Sequence, residues 1–272
     1  MAGRLYLCST PIGNLGDASP RLGETLGLAD VVYAEDTRRS AKLLAALGVS
    51  ADLRSYFVGN ERARTVDLEA DLADGRDVAI ITDAGSPAVS DPGASAVAAA
   101  RRAGAQVVVI PGPSAVTAVV SGSGMVEGRF VFEGFLARRG KERAGQLEAV
   151  ATDLRPTVIF LSPHRALADL TDLAAACGTD REVCVGRELT KLYEELWWGT
   201  LGQAVDRWSE EPPRGEFSLV VAGAEPAEPD PEAAADIARR LVDDGMSPSQ
   251  AAREAATATG VARRTIYERL VN

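Results

Sequence analysis

Along the first 115 residues, short apolar runs alternate with stretches whose apolar residues recur at helical spacing. The runs Arg4–Cys8, Val31–Ala34, Val78–Thr82 and Gln106–Ile110 are nearly continuous in Val, Ile, Leu and Ala, the pattern of strands buried on both faces of a parallel sheet. Helices are predicted over Ala41–Leu47, Thr65–Ala73 and Ala94–Ala103. Each is followed by a glycine, at Gly48, Gly75 and Gly104, where a left-handed cap is expected. Each strand-like run ends in polar and turn-forming residues: STPIGNLGD, EDTRRS, DAGSPAVSDPG and PGPSA. Ligands of open parallel sheets bind outside the carboxyl ends of the strands. The unit from Val78 to Ala115 therefore reads as strand, loop, helix, strand and loop around a ligand. Its loops hold Gly, Pro, Ser and carboxylates but no lysine, which suits a ligand site other than a phosphate cradle.

From Arg129 the pattern changes. FVFEGFLARRGKER holds three of the six Phe residues and then a basic cluster, so a second α/β domain with a mixed sheet is expected over 125–223, after an N-terminal parallel α/β domain over 1–124. Its predicted elements are helix Lys141–Thr152, strand Thr157–Leu161, helix Ala166–Ala176, strand Val183–Arg187, helix Leu201–Ser209 and strand Phe217–Val221. Residues 224–233, rich in Pro, Glu and Ala, read as a linker. Three short helices are predicted beyond it, over Ala234–Asp243, Ser249–Thr259 and Arg263–Val271, forming a tail over 234–272 like a helix-turn-helix unit. Ser247-Pro248-Ser249-Gln250 is a helix start with Ser as N-cap, Pro at the first helical position and Gln three residues after the cap.

Composition narrows the function classes. The chain has 272 residues, 46% apolar and 25% charged, a globular balance. No apolar run approaches the roughly 18 residues of a membrane span, and the N-terminus lacks the features of a secretion signal, so a cytoplasmic protein without membrane contact is expected. Cys8, Cys177 and Cys184 are too few and too irregularly spaced for a disulfide framework or a zinc site. The single histidine, His164, excludes multi-histidine metal sites, and no metal is expected; in its strand-to-helix turn a structural or cofactor-lining role is expected over catalysis. A net charge of −10 argues against coating naked nucleic acid through the overall field while leaving room for a local basic patch.

Neither GxGxxG nor GxxxxGK[ST] stands at these strand ends, which removes dinucleotide binding and P-loop chemistry. The remaining pocket, with Asp83 and Asp91 beside backbone amides and carbonyls, suits a ligand with ribose hydroxyls and a positive centre, such as S-adenosylmethionine. Seven motifs then fall in order: STPIGNLGD, AEDTR, TDAGSPAVSDPG, PGPSA, FEGFLARRGKER, SPHR and RELTKLYEE. Together they closely resemble the ribosomal RNA small subunit methyltransferase I family of the tetrapyrrole methylase superfamily, over nearly the whole chain. The resemblance implies a two-domain class III methyltransferase fold binding S-adenosylmethionine between its halves, acting as a homodimer on the ribose 2′-hydroxyl of a cytidine in the decoding region of 16S rRNA, as free RNA or in the small ribosomal subunit. The expected cofactor contacts are Pro11, Asp83, Ala84, Gly85, Ser86, Pro87, Asp91, Ser114 and Ala115 from the first half, with Leu161, Glu188 and Leu189 from the second.

Two segments depart from the family's pattern. Tyr56-Phe57-Val58-Gly59-Asn60-Glu61 keeps only the Asn-Glu of a histidine-containing motif, and Leu161 stands where an aromatic residue and a carboxylate would precede SPHR. Methyl transfer to a ribose hydroxyl demands alignment and a route for the hydroxyl proton. The candidate catalytic groups are Glu35, Asp36 and Lys191, and the candidate RNA contacts are Arg38, Arg138, Arg139, Lys141 and Arg143. Alternatives are a tetrapyrrole-type small-molecule methylase, disfavoured by TPIGNLGD in place of GxGPGD and by the tail, and a nucleic-acid-binding regulator, which leaves the ligand-type loops unexplained.

Overall fold

A computed structural model describes residues 2–210, 213–226 and 230–271. In the first half, strands β1 (Arg4–Cys8), β2 (Val31–Ala34), β3 (Leu53–Ser55), β4 (Val78–Ile81) and β5 (Gln106–Ile110) alternate with helices α1 (Pro20–Leu28), α2 (Thr37–Ala46), α3 (Glu61–Ala73) and α4 (Ala94–Arg102). The sheet order is β3-β2-β4-β1-β5 and every pairing is parallel. Successive residues of a strand point to opposite faces, and both faces here are covered. Leu5, Val31, Tyr33, Val78 and Ile80 pack on Leu68 and Leu72 of α3 and the small face Ala96, Ala99 and Ala100 of α4. Cys8, Val32, Ala34, Ala79 and Ile81 pack on Leu22 and Leu26 of α1 and Leu44 of α2. The four apolar runs thus become four strands. The fifth, β3, escaped the apolar pattern because it is an edge strand of only three half-buried residues, Leu-Arg-Ser.

The second half begins with α5 (Ala115–Ser123) and continues through β6 (Val131–Phe135), α6 (Gly140–Thr152), β7 (Thr157–Leu161), α7 (Ala166–Cys177), β8 (Glu182–Arg187), β9 (Glu195–Thr200), α8 (Leu201–Glu210) and β10 (Phe217–Val221). The order is β6-β7-β10-β8-β9; only β6 and β7 run parallel, so the sheet is mixed. Ile159, Leu161, Val183, Val185, Leu219 and Val221 pack on α6, α7 and α8.

The other face of this sheet explains why the two halves do not separate. Val158, Cys184 and Val220 pack on Val116 and Val119 of α5 and on Ile12, from the loop after β1. Helix α5, placed with the N-terminal domain by its position in sequence, is by packing a layer of the second sheet. Residues up to Ala224 accordingly form one compact unit, and Glu225–Asn272 form another.

The second unit holds α9 (Pro231–Asp243), α10 (Pro248–Thr259) and α11 (Arg263–Val271) around Ala234, Ala238, Ala251, Ala252, Ala255, Val261 and Ile266. Ser247 caps α10 as its sequence predicts, accepting from Gln250 N–H. The first tail helix starts at Pro231, three residues earlier than expected, because Asp230 accepts from Glu232 N–H and Pro231 takes the first helical position. Residues 227–229 of the expected linker lie outside the described residues.

Candidate active site

The carboxyl ends of β1, β2, β4 and β5 share one edge of the first sheet, and their loops are stitched to one another. Thr10 and Gly85 exchange backbone hydrogen bonds of 2.8 and 3.1 Å. Ser9 N–H reaches the Ile110 carbonyl at 3.0 Å, and the Ser9 and Ser86 hydroxyls meet at 2.7 Å. Gly112 passes so close to Ser9 that a Cβ there would lie 3.0 Å from the Ser9 Cβ. Facing these loops are the ends of β6, β7 and β8 and the segment entering β10. Between the two sets lies a cleft of about 360 Å³, lined by residues of both halves, within the usual size of a small-molecule site.

Most of the expected cofactor contacts line it: Asp83, Ala84, Gly85, Ser86, Asp91, Ser114, Ala115, Leu161 and Leu189. Three do not. Pro11 lies off the lining, Pro87 is buried against Gly93 as part of the loop's own turn, and Glu188 packs over Gly215, where a Cβ would come within 2.5 Å of its carboxyl. Among the expected catalytic groups Glu35 lines the cleft. Asp36 instead caps α2, accepting from Arg38 N–H at 2.8 Å and Arg39 N–H at 3.4 Å. Lys191 is spoken for: its ammonium donates to Glu188 at 2.8 Å and Glu216 at 3.1 Å. Burial acts to lower its pKa, but those hydrogen bonds outweigh it and the net shift is upward, so it holds its proton at neutral pH.

The expected RNA contacts divide as well. Arg38, Arg138, Arg139 and Lys141 are exposed. Arg143 is turned inward, only 9% exposed, with Asp169 and Asp172 as partners. It anchors the basic segment rather than presenting charge. His164 is exposed and outside the cleft lining, while its neighbours Ser162 and Pro163 line it.

Several lining residues carried no clear sequence signal. Arg39, not Arg38, faces the cleft and pairs with Asp83 at 3.0 Å; one step along a helix turns a side chain by about 100°, and the Asp36 cap sets the phase. Phe135, Phe160, Gly186, Glu216 and Phe217 form the opposing wall, with Phe135 and Phe160 at a centroid separation of 5.5 Å. Their aromatic character was visible, but not which strand ends meet the first half.

The electrostatics are lopsided. Glu35, Asp83 and Asp91 gather against one cation, Arg39. Asp83 is held on both sides, accepting from Arg39 and from Asp36 N–H at 3.1 Å. Burial raises the Glu35 pKa despite the Asp83 N–H it accepts. Burial, reinforced by the Glu35 and Asp83 charges, pushes Asp91 up to about 7. Backbone strain collects here too. Among the described residues, the non-glycine residues in the left-handed region are Ala88 and Ser90 in the loop after β4, and Glu188 and Thr190 in the loop after β8. Such residues are held against a local cost of order 1–2 kcal/mol each. Thr190 Oγ1 is buried without a protein partner.

S-adenosylmethionine fits this donor set. The apolar wall of Ile12, Phe135, Phe160 and Leu189 suits a flat base, and an excess of carboxylates suits a sulfonium and an ammonium group. Residues 4–205 match the family of Tetrapyrrole (Corrin/Porphyrin) Methylases, and residues 228–272 match the RsmI C-terminal HTH domain. The chain is 43% identical over 269 residues to ribosomal RNA small subunit methyltransferase I of Synechocystis sp., covering 98% of this chain and 96% of that protein. It is 36% identical over 268 residues to the protein of the same name from Escherichia coli O157:H7, covering 98% and 94%. Among solved structures, the methyltransferase CobJ is similar in fold with a TM-score of 0.64 at 18% identity, covering 82% of this chain and 95% of that one. Cobalt precorrin-4 methyltransferase CbiF follows with a TM-score of 0.61 at 19% identity, covering 80% and 94%. Sequence likeness along nearly the full length, on this fold and around this cleft, makes the chain a member of the ribosomal RNA small subunit methyltransferase I family.

Proposed function

We propose that this chain methylates the ribose 2′-hydroxyl of a cytidine in the decoding region of 16S rRNA, with S-adenosylmethionine as donor. The carrying observation is the carboxylate-rich, lysine-free lining of the strand-end cleft, which favours a cationic methyl donor and repels a nucleotide triphosphate. When bound, S-adenosylmethionine supplies an electrophilic methyl group on sulfur. The residues of the chain supply alignment and a proton route. Asp83, fixed by Arg39 and Asp36 N–H, orients the acidic side of the cleft. Asp91, in the cleft lining, would accept the proton of the ribose hydroxyl as the oxygen–methyl bond forms and the methyl–sulfur bond breaks, since its carboxyl, pushed up to about 7 by burial, is partly ionised at neutral pH and accepts a proton readily. Burial keeps that pKa high, with the Glu35 and Asp83 carboxylates adding to it.

Exposed Arg138, Arg139 and Lys141 stand just beyond Phe135 on the cleft wall and supply phosphate contacts. The reading includes a homodimer in the cytoplasm, supported by apolar side chains left exposed on two edge strands, Val109 of β5 and Trp198 of β9.

The test is transfer of a labelled methyl group to small ribosomal subunits from cells lacking this modification, with nuclease mapping of the product. Label on a cytidine ribose is expected. Tight S-adenosylmethionine binding in calorimetry without transfer to any ribosomal substrate would overturn the substrate, and no binding would overturn the donor.

A further inference from the structure

Two motifs that stand apart in the sequence, ARRGKER and SPHR, each send one arginine to the same buried carboxylate. Asp169, on the first turn of α7, is 2% exposed and receives two guanidinium groups. Arg143 Nη2 lies 2.8 Å and Arg165 Nη2 3.0 Å from the same carboxylate oxygen. Each arginine then reaches back to the chain leaving β6. Arg143 Nη1 donates to the Ala137 carbonyl at 2.9 Å, and Arg165 Nη2 donates to the Leu136 carbonyl at 3.0 Å and the Ala137 carbonyl at 3.3 Å. On its other side Ala137 N–H is held by the Gln146 side chain at 2.7 Å. Both polar groups of one backbone residue are thus fixed immediately before the exposed tip Arg138-Arg139-Gly140-Lys141. The strand leading into it is positioned against the cleft as well. Gly134 (φ +71°) occupies an irregularity in β6 and comes so near the loop after β4 that a Cβ would lie 2.9 Å from the Ser90 hydroxyl.

A solvated surface loop needs no such arrangement. A buried carboxylate with two guanidinium groups is costly to desolvate and offers little net stability over an apolar core; what it supplies is geometry. We propose that Asp169 is a positioning residue for substrate RNA: through Arg143 and Arg165 it fixes the Leu136–Ala137 carbonyls, so that the basic tip is presented in one conformation at the cleft mouth. Pre-ordering the tip spares the ordering cost on binding, so the effect falls on capture of the RNA and not on the chemical step. This rests on the reading of the substrate as ribosomal RNA.

The test compares Asp169→Asn, the double variant Arg138→Gln/Arg139→Gln and their combination. Asp169→Asn is expected to raise KM for the small subunit about fivefold or more and to flatten its salt dependence, as lost phosphate contacts do. It is expected to leave kcat and the S-adenosylmethionine Kd within about twofold. The combination is expected to be no worse than the double variant, because residues acting through one another are not additive. Trypsin cleavage after Arg138 and Arg139 is expected to quicken in Asp169→Asn, a readout independent of the substrate. Unchanged KM, a parallel loss of kcat or cofactor binding, or full additivity in the combination would each overturn the proposal. If Asp169→Asn does not fold, Arg165→Lys, which keeps the charge but loses the planar fork, carries the same expectations. An inactive wild-type protein would instead remove the rRNA reading.

Discussion

The two ends of the first sheet use the same residue types to opposite purposes. At the amino ends charges are matched. Arg4 pairs with Asp77, whose carboxylate also accepts Arg4 N–H at 2.9 Å. The buried Asp71 accepts from Tyr33 Oη at 2.8 Å, Arg54 at 2.9 Å and Arg76 at 2.7 Å. At the carboxyl ends Glu35, Asp83 and Asp91 share the cleft lining with one arginine, which pairs with Asp83, and the loop carrying Asp91 holds two strained residues, Ala88 and Ser90. The lesson is that charges at one end are satisfied within the fold, whereas at the other an excess of carboxylate is left that suits a cationic ligand.

Three experiments bear on that contrast. The largest effect on folding belongs to the matched end. Asp71→Asn leaves two partly exposed guanidinium groups facing a neutral partner, and by the usual worth of a hydrogen bond to a charged group it lowers unfolding stability by about 2 kcal/mol. Below its lowered Tm, S-adenosylmethionine affinity is unchanged. Urea unfolding and calorimetry on one preparation check both statements, and a loss of affinity in the folded variant would show that the two ends are not separate. At the mismatched end the cost falls on rate. Asp91→Asn removes the proton acceptor and slows methyl transfer about 100-fold, the typical size of a general-base contribution, in single-turnover assays with saturating cofactor. A loss of less than fivefold would move the proton route elsewhere.

The smallest effect is a pH dependence, and its sign follows from the Asp91 carboxyl. Its pKa in the folded protein, about 7, lies above the roughly 3.9 of an unfolded chain. The protonated form is therefore favoured by folding. Its contribution to stability is fully present below about pH 4 and is lost as pH rises through 7. Asp91→Asn should gain in Tm relative to wild type between pH 5 and pH 8. Over the same window a cationic ligand gains from the ionised carboxyl, so the preference for S-adenosylmethionine over the uncharged thioether product should grow several-fold. A preference that is flat or falling between pH 6 and 8 would place Asp91 away from the sulfonium.

Much of this was legible in the chain. The apolar runs became strands, all but the edge strand β5 largely buried, the residues closing them became cleft loops, and TDAGSPAVSDPG and PGPSA supplied much of the first-half lining. Where the motifs were less legible, the reason is shared. The segments holding Asp36, Lys191 and Arg143 mark conspicuous side chains but not their partners: Asp36 caps a helix, and both cations are engaged by carboxylates, some distant in sequence. Glu216 lies 25 residues from Lys191, and Asp169 lies 26 from Arg143. No local pattern records those partners.

By itself the sequence determined the alternation of strand and helix, the parallel first sheet, the ligand-bearing strand ends, the capped tail helices and the family. These depend on periodicity, turn chemistry and motif order, all of which are local. Only the tertiary structure decided that α5 layers onto the second sheet, that Arg39 and not Arg38 meets Asp83, and that Lys191 and Arg143 are held in ion pairs. It alone buried Asp91 and brought Glu35 and Asp83 close enough to add to the rise in its pKa. Each of those outcomes depends on which distant side chains share a small volume, and on a Coulomb energy that varies with their separation and burial, quantities fixed only once the chain has folded.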